Sequence, residues 1–412
     1  MSRAPASQPQ VGTIASTGAP DDVRPPIGVY VHFPWCLRKC PYCDFVSFAA
    51  EREDIDHRGY AEAVITELAA RAEVLAGRRL LSIFFGGGTP TLWEPSELGR
   101  VLRAIVAGAG EVAEALEVTV ECNPTSLDVD RARALVDQGV NRLSVGVQSL
   151  DPERLAFLGR LHDPAGALAA VRVAVAVAPR ASADLIYGVA TPRGFETPEE
   201  AAAEARVLAD LGLRHVSAYA LTIEPNTRFG ELARKGRLPL IEDDVVAQSF
   251  DAVADALRPR GLERYEISNF ALPGEEARHN LGYWRGDDYL GLGCAAFGTL
   301  ATGGGHALRY RNPPNAEKYL SRVRAGRFEP HEREALDPET RLRERLMLGL
   351  RLTEGLDLAL AAADLGVDPW TPARTATVAR LVARGRLLRE GSRLRIPPEA
   401  RLHSDGIAAE LF

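Results

Sequence analysis

Three cysteines, Cys36, Cys40 and Cys43, stand in the run CLRKCPYC directly after the strand-like stretch IGVYVHF, and only Cys122 and Cys294 accompany them elsewhere in the chain. A cubane of four irons and four sulfides takes one ligand per iron, so three thiolates leave one iron open to bind a small molecule. That open position separates a reactive cluster from one that only carries electrons. Tyr42, between the last two thiolates, offers an aromatic face where a ligand on the open iron would lie. Two other readings remain open. Thiolates also suit zinc, and His32 would complete a closed Cys3His tetrahedron of structural type. Three ordinary buried thiols are the last reading, against which Arg38, Lys39 and Pro41 mark the run as an exposed loop.

The elements that must hold such a loop follow from the chain around it. With 412 residues, it exceeds the length at which one core stops growing, so two or three domains are expected. A net charge of -7 with no basic stripe along the core argues against a nucleic-acid partner. Five cysteines in so long a chain make no disulfide framework, and a reducing, cytoplasmic setting is expected. Residues 1–25, rich in Pro, Ser, Ala and Thr, have no apolar core suited to a secretory signal and read as a disordered tail. The stretch AGALAAVRVAVAVA from Ala165 is too short to span a bilayer and carries Arg172, so it reads as a helix packed on a sheet.

From Ile27 on, short β-branched or aromatic runs alternate with helical stretches, the pattern of a parallel sheet built from βα units. The predicted strands are IGVYVHF, LLSIFF, LEVTVEC, RLSVGV, ADLIYG and HVSAYAL. A helix beginning near Asp54 presents Ala61, Val64, Ile65, Leu68 and Ala69 as one apolar face. Six consecutive units fit a barrel, complete or partial, although an open doubly wound sheet shows the same alternation. In either case ligands bind at the carboxyl ends of the strands. CLRKCPYC, GGGTP, ECNP, GVQS, Asp184 and the Tyr219–Ala220 pair all fall at or near those ends. Beyond about Gly230 the rhythm fades into a helix over Asp243 to Leu257, RYEISNF, and a turn at Gly303 to Gly305. From roughly Asp337 the chain turns helical and Arg-rich, closing with a hairpin whose predicted turn holds Glu390 and Gly391, which suggests a winged-helix-like module with a solvated or protein-binding arginine face.

Gly86, Gly87 and Gly88 before Thr89 permit close approach of a ligand to the backbone, and their N–H groups could point at it; a plain tight turn is the alternative. Glu121 and Asn123 suit ribose hydroxyls or an amine, or equally a capped loop before Pro124. Gln148, Arg160 and Asp184 add polar groups around the same mouth, where an arginine could hold a carboxylate through a bidentate fork. Cys122 and Cys294 read as small buried hydrophobes.

CxxxCxxC with an aromatic before its last cysteine, followed by GGGTP and ECNP, resembles the radical S-adenosylmethionine superfamily. That resemblance implies a partial TIM-like (β/α)6 barrel, an open iron chelated by the methionine amine and carboxylate, and reductive cleavage of the sulfonium to a 5′-deoxyadenosyl radical. YVHFPWC, CPYCDFVSF, NRLSVGVQS, LGRLHD, DLIYG and RYEISNF are similar to the branch that holds oxygen-independent coproporphyrinogen III dehydrogenases and HemW-type haem chaperones. The dehydrogenases call for a further cysteine where this chain has Phe45. The chaperones have CPYCDF and HNxxYW, the latter found as His279, Asn280, Leu281, Gly282, Tyr283 and Trp284.

The chaperone resemblance therefore implies a 4Fe-4S cluster on Cys36, Cys40 and Cys43. It implies S-adenosylmethionine contacts from Tyr30, Tyr42, Gly87, Gly88, Thr89, Glu121, Gln148, Arg160, Asp184 and Ala220, and haem contact from His279. No catalytic residue is assigned beyond the cluster. It further implies haem-accepting partners, such as respiratory haem enzymes with a peripheral membrane contact through them, and an electron donor such as a flavodoxin or ferredoxin. A dehydrogenase in porphyrin biosynthesis is the alternative. The expected organisation is a core over residues 26–230, an accessory haem-binding region over 231–335 and a small C-terminal α+β winged-helix-like domain over 336–412. Two departures stand out. Phe297 replaces a histidine that usually follows HNxxYW, with Cys294 nearby as a candidate soft ligand, and VATPRGFETPEE replaces a shorter loop after DLIYG.

Overall fold

The structure, a computed structural model, describes residues 24–412, so the tail expected over residues 1–25 lies almost wholly outside the described residues. Six strands alternate with helices as the β-branched runs predict: β1 (Ile27–Phe33), β2 (Arg79–Gly87), β3 (Glu111–Cys122), β4 (Arg142–Gln148), β5 (Arg180–Tyr187) and β6 (His215–Ala220). They lie side by side in chain order and are all parallel. The sheet does not close. The outer edge of β6 takes β8 (Asn269–Ala271) and then β7 (Glu263–Arg264), both antiparallel ladders. The outer edge of β1 takes β9 (Asp288–Leu292) in parallel, extended by β10 (Phe297–Gly303), β11 (His306–Arg311) and β12 (Glu332–Leu336). The expected (β/α)6 partial barrel is thus present, with the accessory segments sewn onto both of its edges.

The connecting helices begin where the sequence offers a cap. Asp56 accepts from Gly59 N at the start of α1 (His57–Ala70), and Thr197 with Glu200 forms a reciprocal capping box at the helix Pro198–Asp210. The predicted apolar face of α1 holds at Ala61, Val64 and Leu68, but Ala69 is exposed and Glu67 is buried instead. The alanine-rich stretch forms the helix Pro164–Val177 with Arg172 exposed, and no helix among the described residues is long and apolar enough to cross a membrane.

Alternation along the strands divides the molecule. Val29, Val31, Ile83, Phe85, Val118, Val120, Val145 and Val147 join the helices in one large apolar cluster. Their neighbours on the opposite sheet face are polar yet also buried: Ser82, Glu117, Thr119, Arg142, Ser182, His215 and Ser217. Successive side chains of a strand point to opposite faces, so this second set lines the concave interior. A filled barrel interior would carry branched apolar residues there. Ser182 Oγ donates to Ser144 Oγ at 2.9 Å between the adjacent strands β5 and β4 on that inner face.

Residues after 336 build a separate apolar cluster around Leu342, Leu346, Val378, Leu381, Leu394 and Ile407. Helices Pro338–Gly349 and Pro372–Ala383 pack with a three-stranded sheet of β13 (Leu356–Asp357), β14 (Leu388–Glu390) and β15 (Arg393–Arg395), a winged-helix-like arrangement. The hairpin turns at Gly391 and Ser392, one residue later than predicted.

Candidate functional site

The cysteine loop is stapled at its base. Trp35–Cys36 pairs with Phe48–Ala49 in parallel, Gly88 N donates to Phe33 O at 2.7 Å, and Thr89 N donates to Trp35 O at 2.8 Å. Cys43 N donates to Cys40 O at 3.2 Å, a turn that holds the last two cysteines of the run together, and Cys36 is near enough to act on Cys43; among the described residues no three metal-ligating side chains converge on one point. Burial raises the Cys36 thiol, with the Thr89 and Ser47 hydroxyls opposing it, and burial together with the adjacent Cys40 and Cys36 pushes Cys43 up to about 11. Arg160 places Nη1 3.5 Å from Cys40 Sγ and Nη2 2.9 Å from Gly146 O, while its buried Nε has no partner. Burial outweighs the Arg160 cation and the hydroxyls, so Cys36 and Cys43 stay protonated thiols here, and a metal binding them would have to displace those protons.

The zinc alternative loses its fourth ligand. His32 is buried, its Nδ1 accepts from Tyr30 OH at 2.9 Å, and its Nε2 donates to Val46 O at 2.8 Å. Desolvation lowers it to about 4, so it is a neutral ring with both nitrogens engaged. Cys122 and Cys294 are packed thiols as expected, and Cys294 Sγ donates to Pro313 O, not to any ligand site.

Glu121 on β3 accepts from Gly87 N at 3.1 Å and faces Asp184 on β5, to which Ser144 donates at 3.3 Å. Burial, then the Asp184 charge, raises Glu121 to about 7; burial also raises Asp184 against the Ser217 and Ser144 hydrogen bonds. Gln148 ends β4 with φ 70, a strained conformation for a side chain with a Cβ. A shallow cleft, open to solvent, joins Arg38, Cys40, Thr89, Asn123 and Arg160. The carboxyl ends of β1 to β5 therefore bring together Cys36, Cys40, Cys43, Tyr42, Thr89, Glu121, Gln148, Arg160 and Asp184. Tyr30 lies just below, bonded to His32, and Ala220 ends β6 at the same edge.

The glycines serve the protein itself. A Cβ on Gly87 would lie 2.5 Å from the His32 ring, one on Gly88 2.5 Å from Trp35 O, and the amides of Gly87, Gly88 and Thr89 all bond within the chain. Close strand-end packing by itself already requires glycine at both positions. Asn123 likewise caps its own turn by accepting from Thr125 N.

His279 stands elsewhere. It begins the helix α2 (Arg278–Arg285), which covers the amino ends of the strands, against Ser82, Gly28 and Glu117. The helix lies under the barrel, but the His279 ring reaches up its interior, stacked 5.1 Å from Phe84 and 6.5 Å from Tyr30, whose hydroxyl bonds His32 beneath the cysteine loop. The ring is 3% exposed, with Nδ1 bonded to Ser82 Oγ and Nε2 to Tyr283 OH, both at 2.9 Å, and burial lowers it to about 4. The expectation of direct haem contact meets an imidazole with no free nitrogen. Phe297 is 43% exposed beneath the Arg311 guanidinium.

Sequence reasoning missed the floor network. Glu117 accepts from the amides of Arg278 and His279 and pairs with Arg180 at 2.7 Å, and Arg180 also pairs with Glu275 at 2.8 Å. The period-2 signal was there: Glu117, Thr119 and Glu121 alternate with Val118, Val120 and Cys122, marking a polar inner face.

An open parallel barrel with three clustered thiols at its ligand-binding edge defines a class, and a family model described as the radical SAM superfamily matches residues 30–192. A second, described as the HemN C-terminal domain, matches residues 336–403. The Escherichia coli protein named Heme chaperone HemW is 39% identical over 286 residues, 69% of this chain and 73% of that protein. The Mycobacterium tuberculosis protein of the same name is 33% identical over 389 residues, 94% of this chain and 95% of that protein. The solved structure of coproporphyrinogen III oxidase (HemN) from Escherichia coli superposes with a TM-score of 0.77 at 20% identity, covering 94% of this chain and 90% of that one, a likeness of fold. The chain belongs to the HemW family of the radical SAM superfamily.

Proposed function

We propose that this protein binds haem and hands it to haem-accepting proteins. The observation that carries the reading is the match to proteins named Heme chaperone HemW along nearly the whole chain. Phe45, 59% exposed beside the cysteine loop, supports it, because a porphyrinogen dehydrogenase would carry its further cysteine there. In this reading Cys36, Cys40 and Cys43 hold a 4Fe-4S cluster, for which the donor set, the Arg160 cation and its orphaned Nε are suited. When bound, the cluster and S-adenosylmethionine supply one-electron chemistry. The chain's own part is to orient and shield: Glu121 and Asp184 offer carboxylates to an ammonium or to hydroxyls, Arg160 offers its fork to a carboxylate, and Tyr42 and Tyr30 supply aromatic walls. Tyr42 is already fixed against Phe229, with ring centroids 6.4 Å apart. Thr89, Gly87, Gly88, Gln148 and Ala220 shape the same edge. The division into a core over 26–230, an accessory region over 231–335 and a C-terminal module over 336–412 belongs to this reading, as do a cytoplasmic setting, a flavodoxin- or ferredoxin-like donor and respiratory haem acceptors.

The test is anaerobic reconstitution with iron and sulfide followed by haem titration read by optical absorption. Stoichiometric haem retention is expected. Wild-type protein that assembles its cluster but shows no haem affinity would sink the proposal, and decarboxylation of coproporphyrinogen III under reducing conditions would replace it.

A further inference from the structure

The helix α2 is held from two sides. On the barrel side, Glu117 takes the amides of Arg278 and His279, Ser82 takes the His279 ring, and Arg180 and Arg142 donate to the carbonyls of Glu276 and Glu275 at 2.9 and 3.4 Å. On the other side stands the C-terminal domain: its helix Pro338–Gly349 packs against α2, and a four-residue loop, Arg351 to Glu354, follows that helix. Each of its residues makes a contact. The Arg351 guanidinium lies 5.5 Å from the Trp284 ring, and Leu352 bridges to Glu266 in antiparallel fashion. Thr353 donates through both N and Oγ1, at 2.9 Å each, to the carbonyls of Tyr265 and Arg264, and Glu354 pairs with Arg285 at 3.2 Å. One short loop therefore ties together α2 and the RYEISNF corner, the two segments that close the floor.

We propose that the C-terminal domain is a latch: its Arg351–Glu354 loop holds α2 against the barrel floor, and haem reaches His279 and Tyr283 only in a state in which that loop releases the helix. The inference rests on the haem-binding reading above. A planar macrocycle has no approach to a ring that is 3% exposed and bonded at both nitrogens, so its uptake at this place is coupled to displacement of the helix. Apparent affinity is then the intrinsic affinity scaled by the fraction of molecules with the floor open, and weakening the latch raises it. The grip is built to yield. Of the ties to α2 itself, the barrel-side ones through Glu117 and Ser82 are buried or half-buried, whereas the Arg285–Glu354 pair is about half exposed on both sides, so that pair is the weaker hold.

The test uses the full-length, cluster-reconstituted protein. Glu354→Arg sets like charges against each other, and the double exchange Arg285→Glu with Glu354→Arg restores the pair. Thr353→Val, which removes one hydrogen bond, is a milder variant. Deuterium uptake in residues 278–285 and the rate of haem association by stopped-flow absorption are the readouts. The single charge variant should raise both by about fivefold, the upper range for one exposed ion pair; Thr353→Val should move both the same way, and the exchange should return both to wild-type values. That rescue excludes misfolding. Unchanged deuterium uptake in Glu354→Arg and Thr353→Val, or faster uptake with unchanged haem association, overturns the latch. Failure of every variant and of wild type to take up haem overturns the functional reading itself, and with it the latch's role.

Discussion

At the scale of single residues, the arrangement separates groups that serve a ligand from groups that serve the fold. Replacing Cys36, Cys40 or Cys43 by Ser should abolish retention of iron and acid-labile sulfide after reconstitution, whereas Cys122→Ala should leave both intact; equal loss in all four would remove the three-thiolate assignment. Glu121 carries a pH signature. Its carboxyl is raised to about 7, so below that pH an incoming ammonium must first expel a proton. S-adenosylmethionine affinity, measured by calorimetry, should fall about tenfold per unit below pH 7 and level off above it, and Glu121→Gln should flatten the profile. His279→Ala strands Ser82 and Tyr283 hydroxyls in the interior. A loss of roughly 2–4 kcal/mol in urea denaturation is expected, so any loss of haem in this variant has to be compared with that of a variant equally destabilised elsewhere.

At the scale of elements, Gly87 and Gln148 show how strand ends are shaped. Gly87→Ala must displace the His32 ring and force a side chain into φ 108, so the melting temperature should drop by several degrees. Gln148→Gly relaxes a strained φ; the variant should be slightly more stable, by up to about 1 kcal/mol, yet bind S-adenosylmethionine more weakly if the amide side chain belongs to the site. Strand positions were legible because β-branched runs such as YVHF, LEVTVEC and RLSVGV need a pleated surface, and the place of the cysteine loop was legible because it follows the carboxyl end of the first such run. The place of His279 was not. A histidine at the start of an amphipathic octet reads the same whether the helix stands at the mouth of a barrel or under its floor, and only Glu117 and Arg180, some hundred or more positions earlier, decide which. GGGTP is open for a related reason: glycine signals close approach without saying whether to the chain itself or to a ligand.

At the scale of the whole molecule, one buried pair joins its two halves. Arg78, just before β2, meets Asp288, the first residue of β9, at 2.9 Å with both side chains nearly inaccessible. Arg78→Met would leave a carboxylate in the interior with Ala301 N as its hydrogen-bond partner, and a loss of about 3–5 kcal/mol in chemical denaturation is expected. The pairing beside it has a temporal meaning. β1 finds β2 within some fifty residues, but its other edge waits for β9, with Ile27 opposite Asp288. At about 5–20 residues per second of synthesis, that edge stays bare for roughly 13 to 50 s, longer than β1 needs to pair with β2. During that interval a nascent chain presents an apolar, unpaired strand to its surroundings. A ribosome-bound chain halted before residue 288 should accordingly bind holdase chaperones and resist compaction, while the same chain carrying β9 to β12 and released from the ribosome should not.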